Sequence, residues 1–324
     1  MIVSVIIVNY KSWSYLKDCL SSLEKANSNA FDLEVIVVDN CSNDGRLEEF
    51  SNQFKNFIFL KNSGNNGFSH GCNFGASKAK GDYLLFLNPD TIAEEDAISK
   101  LLATSMQNPE IGIVTCAQVN TNGRLENQVR FFPKMKTFIG LFRFFYKKRI
   151  KKKINLYFNA QKEVIYPEWV SGSVVFISKT WYEKVGGWNE DYWMYFEDID
   201  LCKKVDAKGG KVALLRNASI VHSHGGASRI NVKTAVLTKT EVKISKHVYI
   251  QNHFENWVVL SQVFLVAYVL ISQFIVAIVG SVFFFIPKLR VQLYQLGTLL
   301  SYYIGAVMHK TWLSPRSINY LKNK

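Results

Sequence analysis

The sequence predicts an α/β protein: a mostly parallel, Rossmann-like sheet with helices on both faces, followed by C-terminal membrane-associated helices. Short β-branched runs alternate with segments of helical periodicity over most of the chain. Alternation of that kind builds a parallel sheet covered on both sides. Several runs end on Asn or Asp, the position at which such sheets meet their ligands. The last quarter then carries two long stretches without a charge.

Val3 to Val8 reads as the first strand, and Tyr15, Leu16, Cys19, Leu20 and Leu23 follow at helical spacing. Met1 to Val8 lacks a basic leader and a small-residue cleavage site, so it is expected to be a strand rather than a signal peptide. Val35 to Val38 gives a second strand ending at Asp39, Phe57 to Leu60 a third, and Tyr83 to Leu87 a fourth ending at Asn88-Pro89-Asp90. Strands resume at Val174 to Ile177 and Lys211 to Leu215, with a helix expected from Lys179. The predicted division is 1–235 for the α/β domain and 236–324 for the membrane-association region.

The 324 residues carry a net charge of +13, but 127–162 holds eleven basic residues and no acidic one, leaving about +2 for the rest. Basicity this local points to an anionic surface as partner. The five cysteines are scattered without a paired short spacing, which predicts reduced thiols and no structural zinc.

Asp90 follows an apolar strand, where a carboxylate can hold a divalent cation against a diphosphate or serve as a turn or N-cap residue. Asp39 can accept hydrogen bonds from a nucleobase imide or a ribose hydroxyl, while Asp44-Gly45 reads as a turn. The stretch from Asn65 to Gly75 is rich in Gly and Asn and opens a helix; its glycines allow close backbone approach, to a ligand or within a turn. Glu197 and Asp198 follow Tyr192-Trp193-Met194-Tyr195-Phe196. Apolar surroundings raise a carboxylate pKa and suit a general base, and acids also suit a helix N-terminus. His222 and His224 can ligate a metal, contact phosphate, or be structural.

Together these residues resemble the family-2 glycosyltransferases, within them the rhamnosyltransferase-like group. The matching elements are Val5-Ile-Ile-Val-Asn-Tyr10, Val37-Val-Asp-Asn40, Asn65-x-Gly67-Phe68-x-x-Gly71-x-Asn73-x-Gly75 and Asn88-Pro-Asp90-Thr91. Val185-Gly-Gly-Trp188, Met194-Tyr-Phe-Glu-Asp-Ile-Asp-Leu201 and His222 complete them. The resemblance implies a GT-A fold and inverting, metal-dependent transfer of a sugar from a nucleotide-diphosphate sugar of dTDP-rhamnose or UDP-hexose type to a lipid-linked or cell-surface glycan. It implies Mg2+ or Mn2+ as cofactor. Val8, Asn9, Tyr10, Asp39, Asn66, Gly67, Asn73, Asn88 and Asp90 would form the donor side, with Asp39 reading the base. Asp90 and His222 would hold the metal, with His222 preferred to His224. Asp198 would be the catalytic base and Glu197 its neighbour, with Trp169, Gly172 and Trp193 on the acceptor side.

Two other classes compete. A sugar-nucleotide pyrophosphorylase of similar fold should carry a glycine-rich basic loop after the first strand, and Asn9-Tyr10-Lys11-Ser12-Trp13 has no glycine. A nucleic-acid or lipid-binding protein without catalysis would explain the basic, aromatic segment. That segment belongs to a chain ending in membrane-like runs, which favours an anionic membrane surface over nucleic acid. The expected partners are therefore a nucleotide sugar, a polyprenyl-linked or polysaccharide acceptor, and the cytoplasmic face of the cell membrane. Asn256 to Pro287 as one helix would reach about 48 Å, more than a hydrocarbon core of about 30 Å. It must tilt, break near Gly280, Ser281 or Pro287, or lie partly in the interface. A spanning hairpin and an interfacial pair with Val291 to Met308 both remain open.

Overall fold

The computed structural model describes residues 1–26, 31–125, 130–140, 142–146, 148–149, 163–223, 231–283 and 285–322. Much of the basic segment 127–162, and His224, lie outside the described residues.

The sheet and its helices occupy Met1–Phe132, Lys151–Asn189 and Glu197–His224. In chain order the elements are β1 (Ile2–Asn9), α1 (Trp13–Glu24), β2 (Asp32–Asp39), α2 (Arg46–Gln53), β3 (Ile58–Lys61), α3 (Phe68–Ala76) and β4 (Tyr83–Leu87). Then come β5 (Thr91–Ile92), α4 (Glu95–Gln107), β6 (Ile111–Val119) and, in the other compact unit, α5 (Met135–Phe138). β7 (Val164–Ile165), β8 (Val174–Ser178), α6 (Lys179–Lys184), α7 (Glu197–Ala207) and β9 (Lys211–His222) complete this part. The strand order is β3-β2-β1-β4-β8-β6-β9-β5, with β7 on β9. The sheet is mixed: β3, β2, β1 and β4 run parallel, as do β6 and β9, while β8 is antiparallel to both β4 and β6.

Alternation along β1 decides the layers. Val3, Val5 and Ile7 join Trp13, Leu16, Leu20, Ile98 and Leu101 from α1 and α4 in one core. Ile6 and Val8 join Cys72 of α3 and Leu201, Cys202 and Val205 of α7 in the other. Successive strand side chains point to opposite faces, so two apolar sets on one strand require helices on both sides. Burial of each large aliphatic side chain contributes about 1.5–3 kcal/mol. α3 comes down close because of two glycines: a Cβ on Gly71 would stand 2.7 Å from Val8 Cγ1, and one on Gly75 2.6 Å from Ile6 Cγ2. Gly71 and Gly75 thus serve helix-on-sheet packing.

The second compact unit gathers Pro133–Ile150, Glu190–Phe196 and Gly225–Lys324. It contains α5, α8 (Val232–His253), α9 (Val258–Val282), α10 (Pro287–Met308) and α11 (Ile318–Lys322). Leu265, Val269, Gln273, Ala277 and Gly280 bury one stripe of α9, and Val291, Gln295, Leu299, Tyr302 and Ala306 one stripe of α10. The i, i+4 spacing is that of helix faces meeting. A Cβ on Gly280 would lie 3.0 Å from the Leu289 carbonyl oxygen, so α9 and α10 approach closely where Pro287 starts the second helix. His247 on α8 is fully buried, stacked on Trp312 at 4.8 Å, with Nε2 3.1 Å from the Tyr303 hydroxyl and Nδ1 hydrogen-bonded to Gln262. Burial pushes its pKa down to about 4, so it packs as a neutral ring.

The opposite face of α9 has no cover: Val259 is 77% exposed, and Ile271, Phe274, Ile275 and Ile278 are all exposed. Among the described residues one helix, Glu255–Val282, is long and apolar enough to cross a membrane, with 28 residues and a mean hydropathy of 2.5. An uncovered apolar face of this kind marks an interaction surface.

Candidate active site

Strand register assembles the first part of the site. Asn9 lies beside Asp39 at the paired ends of β1 and β2. The Asp39 carboxylate is buried and accepts hydrogen bonds from the Ser42 backbone N–H (2.9 Å), the Ser42 hydroxyl and the Asn9 amide (3.4 Å). Asn9 in turn accepts from the Ser12 N–H at 3.2 Å. Beside them Asn62 donates to Asn40 (3.0 Å), and Asn40 donates to the Gly67 carbonyl (2.9 Å), which fixes the turn into α3. Gly67 has φ 98°, a conformation that side chains resist. Val8 and Asn66 are buried at this end of the sheet and Tyr10 is exposed. Asn73 is placed differently from the rest of the expected donor side. Its amide donates to the Trp188 carbonyl (2.9 Å) and accepts from the Trp188 N–H (3.0 Å) and the Tyr182 hydroxyl (2.5 Å), so in this structure it tethers Trp188.

The second part forms where β4 ends. The Asn88 N–H donates to the Ser173 carbonyl (3.0 Å), and the Asn88 carbonyl accepts from the Thr91 hydroxyl (2.7 Å), closing the turn that presents Asp90. β5 then pairs Thr91 with His222 on β9, and the Ser223 N–H donates to the Asp90 carbonyl at 2.9 Å. These bonds carry His222 to Asp90 across more than a hundred residues: Nε2 lies 3.3 Å from a carboxylate oxygen, with both side chains nearly buried.

The tautomer of His222 follows from its other neighbour. Nδ1 is 2.9 Å from the Gln118 amide oxygen, which also accepts from the Ser173 hydroxyl at 2.9 Å. An amide oxygen only accepts, so Nδ1 carries a proton and Nε2 is the ring atom turned toward Asp90. With Nε2 deprotonated, the two atoms aimed together fit a divalent cation between them. Among the described residues no third His, Cys, Asp or Glu joins the pair. The remaining ligands would come from a diphosphate and water.

The third part is the head of α7. Asp198 accepts from the Gly172 N–H (3.2 Å) and the Ile199 N–H (2.8 Å), which fixes both carboxylate oxygens. Gly172 lies against it: a Cβ there would meet Asp198 Cβ at an ordinary contact distance of 3.4 Å. Burial pushes the Asp198 pKa up, opposed first by the nearby Arg130 and then by the backbone donors. Glu197 is pushed up further, by burial and by the Asp198 charge, and its Oε2 has no hydrogen-bond partner. Of the two, Asp198 is the one with an opposing cation and two backbone donors, both of which favour its ionised form. Arg130 stacks over the Trp169 ring at 4.6 Å, and Trp169 Nε1 donates to the Phe131 carbonyl at 2.9 Å. Tyr195 and Phe196, just before Glu197, have φ of 72° and 68°, the left-handed region that bulky residues avoid. Trp193 groups with the C-terminal unit, where Arg316 lies 5.9 Å over its ring.

Arg130, Gln118 and Ser173 belong to the site without being legible as candidates in the sequence. Gln118 and Ser173 act through partners 55 to 104 positions away and Arg130 through a charge effect, and none stands in a short motif.

A mixed sheet with a carboxylate and an imidazole at its strand ends, and a buried carboxylate at a helix head, defines a glycosyltransferase of GT-A type. Residues 4–197 match the profile of Glycosyl transferase family 2, and the chain belongs to that family. It is 25% identical over 228 residues to rhamnosyltransferase WbbL of Escherichia coli, covering 68% of this chain and 83% of that protein. It is 23% identical over 243 residues to an N-acetylglucosaminyl-diphospho-decaprenol L-rhamnosyltransferase of Mycobacterium tuberculosis, covering 68% and 76%. Among solved structures, the mannosyltransferase PcManGT of Pyrobaculum calidifontis, in complex with GDP-Man and Mn2+, superimposes with a TM-score of 0.52 at 15% identity over 76% of this chain and 64% of that one. GalNAc-T7 with UDP, GalNAc and Mn2+ superimposes with a TM-score of 0.54 at 16% identity, covering 75% of this chain and 48% of that one.

Proposed function

We propose that this glycosyltransferase moves a hexose, of the dTDP-rhamnose or UDP-hexose type, from its nucleotide diphosphate onto a lipid-linked or cell-surface glycan at the cytoplasmic membrane face, with inversion. The observation that carries this reading is Asp198: a carboxylate fixed by two backbone donors, its pKa raised by burial, next to Glu197, whose pKa burial raises further. A base so placed takes the proton of an acceptor hydroxyl as that oxygen attacks the anomeric carbon, and the bond to the diphosphate breaks on the opposite side. Asp39 and its asparagine neighbours hold the nucleoside, and Asp90 with His222 hold Mg2+ or Mn2+. Bound there, the cation would offset the charge of the leaving diphosphate. Trp169 and Gly172, in the same unit as Asp198, belong to the acceptor side. The mycobacterial relative, whose name specifies a decaprenol-linked acceptor, and the exposed face of α9 support a lipid-linked acceptor.

A donor screen reading nucleoside diphosphate release with a polyprenyl-linked acceptor, in Mg2+ and in Mn2+, checks the reading. Release with one donor, an inverted product by NMR, and loss in excess chelator are expected. No release with any common nucleotide sugar would overturn it.

A further inference from the structure

The C-terminal unit contains a groove that the transfer chemistry does not use. It holds about 360 Å3 and is lined by Met135, Ile139, Phe142, Leu260 and Phe264, with Lys136 as its charged member. Its walls are held in place. The Gly140 N–H donates to the Tyr268 hydroxyl at 2.7 Å, tying the wall after α5 to α9. Phe138 is buried, with its ring stacked on Phe254 at 6.2 Å and edge-on to Tyr249 at 6.4 Å. Yet Phe142, Leu260 and Phe264 are exposed, an arrangement unfavourable in water. Leu260 and Phe264 lie in the first two turns of α9, so the groove runs on into the uncovered apolar face of that helix.

Cations gather at the same place. Lys239, Lys243 and Lys246 follow each other on α8 at spacings of four and three, which is one helix face. Lys246 Nζ stands 5.4 Å from the centroid of Phe138, the residue that closes the α5 turn. Burial and then the charges of Lys246 and Lys239 pull the Lys243 pKa down to about 7, and burial and Arg143 pull Lys246 to about 8. Among the described residues, the charged neighbours acting on each lysine are thus cations. An anion arriving there would relieve repulsion among them.

We infer that this groove and its lysine cluster bind the lipid portion of a polyprenyl diphosphate, the first isoprene units against Leu260, Phe264 and Phe142 and the diphosphate against Lys136, Arg143 and Lys246. The charge complementarity and the continuity with the face of α9 select this occupant: the ligand must be an amphiphile whose anionic head sits at one end of an apolar chain that continues into a bilayer. The inference rests on the reading that the acceptor is lipid-linked and deepens it by giving the lipid its own site.

The test uses the full-length protein in nanodiscs of neutral lipid, without donor, and measures binding of a long-chain polyprenyl diphosphate and of inorganic diphosphate, a short ligand with no isoprene unit. The Leu260→Ser/Phe264→Ser variant should weaken the long-chain ligand about tenfold or more and leave the short one unchanged, because it removes tail contacts only. Arg143→Gln/Lys246→Gln should weaken both ligands. Thermal melting of each variant checks the fold, and the differential response of the two ligands separates site loss from unfolding. Equal affinity of all variants for the long-chain ligand would overturn the proposal, as would its displacement by an equal mole fraction of phosphatidylglycerol, which would mark a general anionic-lipid surface. Because no donor is present, binding that follows this pattern without any turnover counts against the proposed function and not against this site. Turnover on a lipid-linked acceptor with no change in binding does the reverse.

Discussion

The two compact units handle apolar surface in opposite ways. In the sheet unit both faces of β1 are covered by helices, and the polar groups at the strand ends are linked to one another: Asp39 to Asn9 and Ser42, His222 to Gln118, Asp198 to Gly172. In the C-terminal unit α9 buries one stripe and leaves large aliphatic and aromatic side chains on the other. The first arrangement fixes charged groups to within hydrogen-bond tolerance, as chemistry requires. The second leaves a surface suited to a nonaqueous neighbour. Rigidity belongs to the sheet unit and adhesion to the helical one.

The difference can be broken from either side. The largest effect is expected from Asp198→Asn, which keeps the shape of the side chain and removes the base. Turnover should fall by about 10²–10⁴, with donor binding and the melting temperature nearly unchanged, as calorimetry and product-release assays would record. Asp90→Asn should likewise abolish cation-dependent turnover without unfolding the chain, and full activity in excess chelator would contradict the metal assignment. On the helical side, Ile271→Ser with Phe274→Ser and Ile278→Ser should lower partition onto liposomes by roughly a hundredfold or more, read by flotation, while turnover on a soluble acceptor stays intact.

Smaller effects sharpen the comparison. Gly71→Ala forces a methyl against Val8 and should cost about 1–3 kcal/mol of stability, visible as a lower denaturant midpoint with no change in liposome binding. Arg130→Gln should act by pH alone. Arg130 opposes the rise of the Asp198 pKa, so its removal lets that pKa climb further. Activity depends on ionised Asp198 and falls as pH drops through the pKa. The acidic limb of the kcat/KM profile should therefore move to higher pH, with a few-fold loss near neutrality and little change on the alkaline side.

Periodicity and strand-end residues disclose most of the sheet unit. Val35 to Val38 ending at Asp39 and Tyr83 to Leu87 ending before Asp90 are runs whose buried character and ligand-facing ends are both local properties. β6 is not disclosed in this way. It is enclosed by β8 and β9, almost every residue is buried, and it contains Gly112 and Gln118, so neither alternation nor composition distinguishes it. The pairing of β5 with β9 is equally silent in sequence, although it brings His222 to Asp90. The ladder between β6 and β9 shifts register between Cys116 and Ala117, whose partners are Leu215 and Ser219, and no local pattern announces such a shift. Asn73 illustrates the converse: a motif position that reads as a ligand contact is engaged with Trp188 and Tyr182, partners fixed only in three dimensions.

Tyr195 and Phe196 adopt left-handed backbone conformations immediately before Glu197 and Asp198. Each such residue stores on the order of 1–3 kcal/mol, and the ring of Phe196 against Tyr249 and Phe138 helps hold it there. For anyone selecting hardier versions of this enzyme, these two positions are a trap. Glycine at Tyr195 would release strain and can register as a gain in heat tolerance while freeing the chain ahead of Asp198 to rotate, whereas at Phe196 it would also give up the ring packing against Tyr249 and Phe138. Screens that reward survival alone would enrich such replacements, whereas screens that reward turnover would discard them.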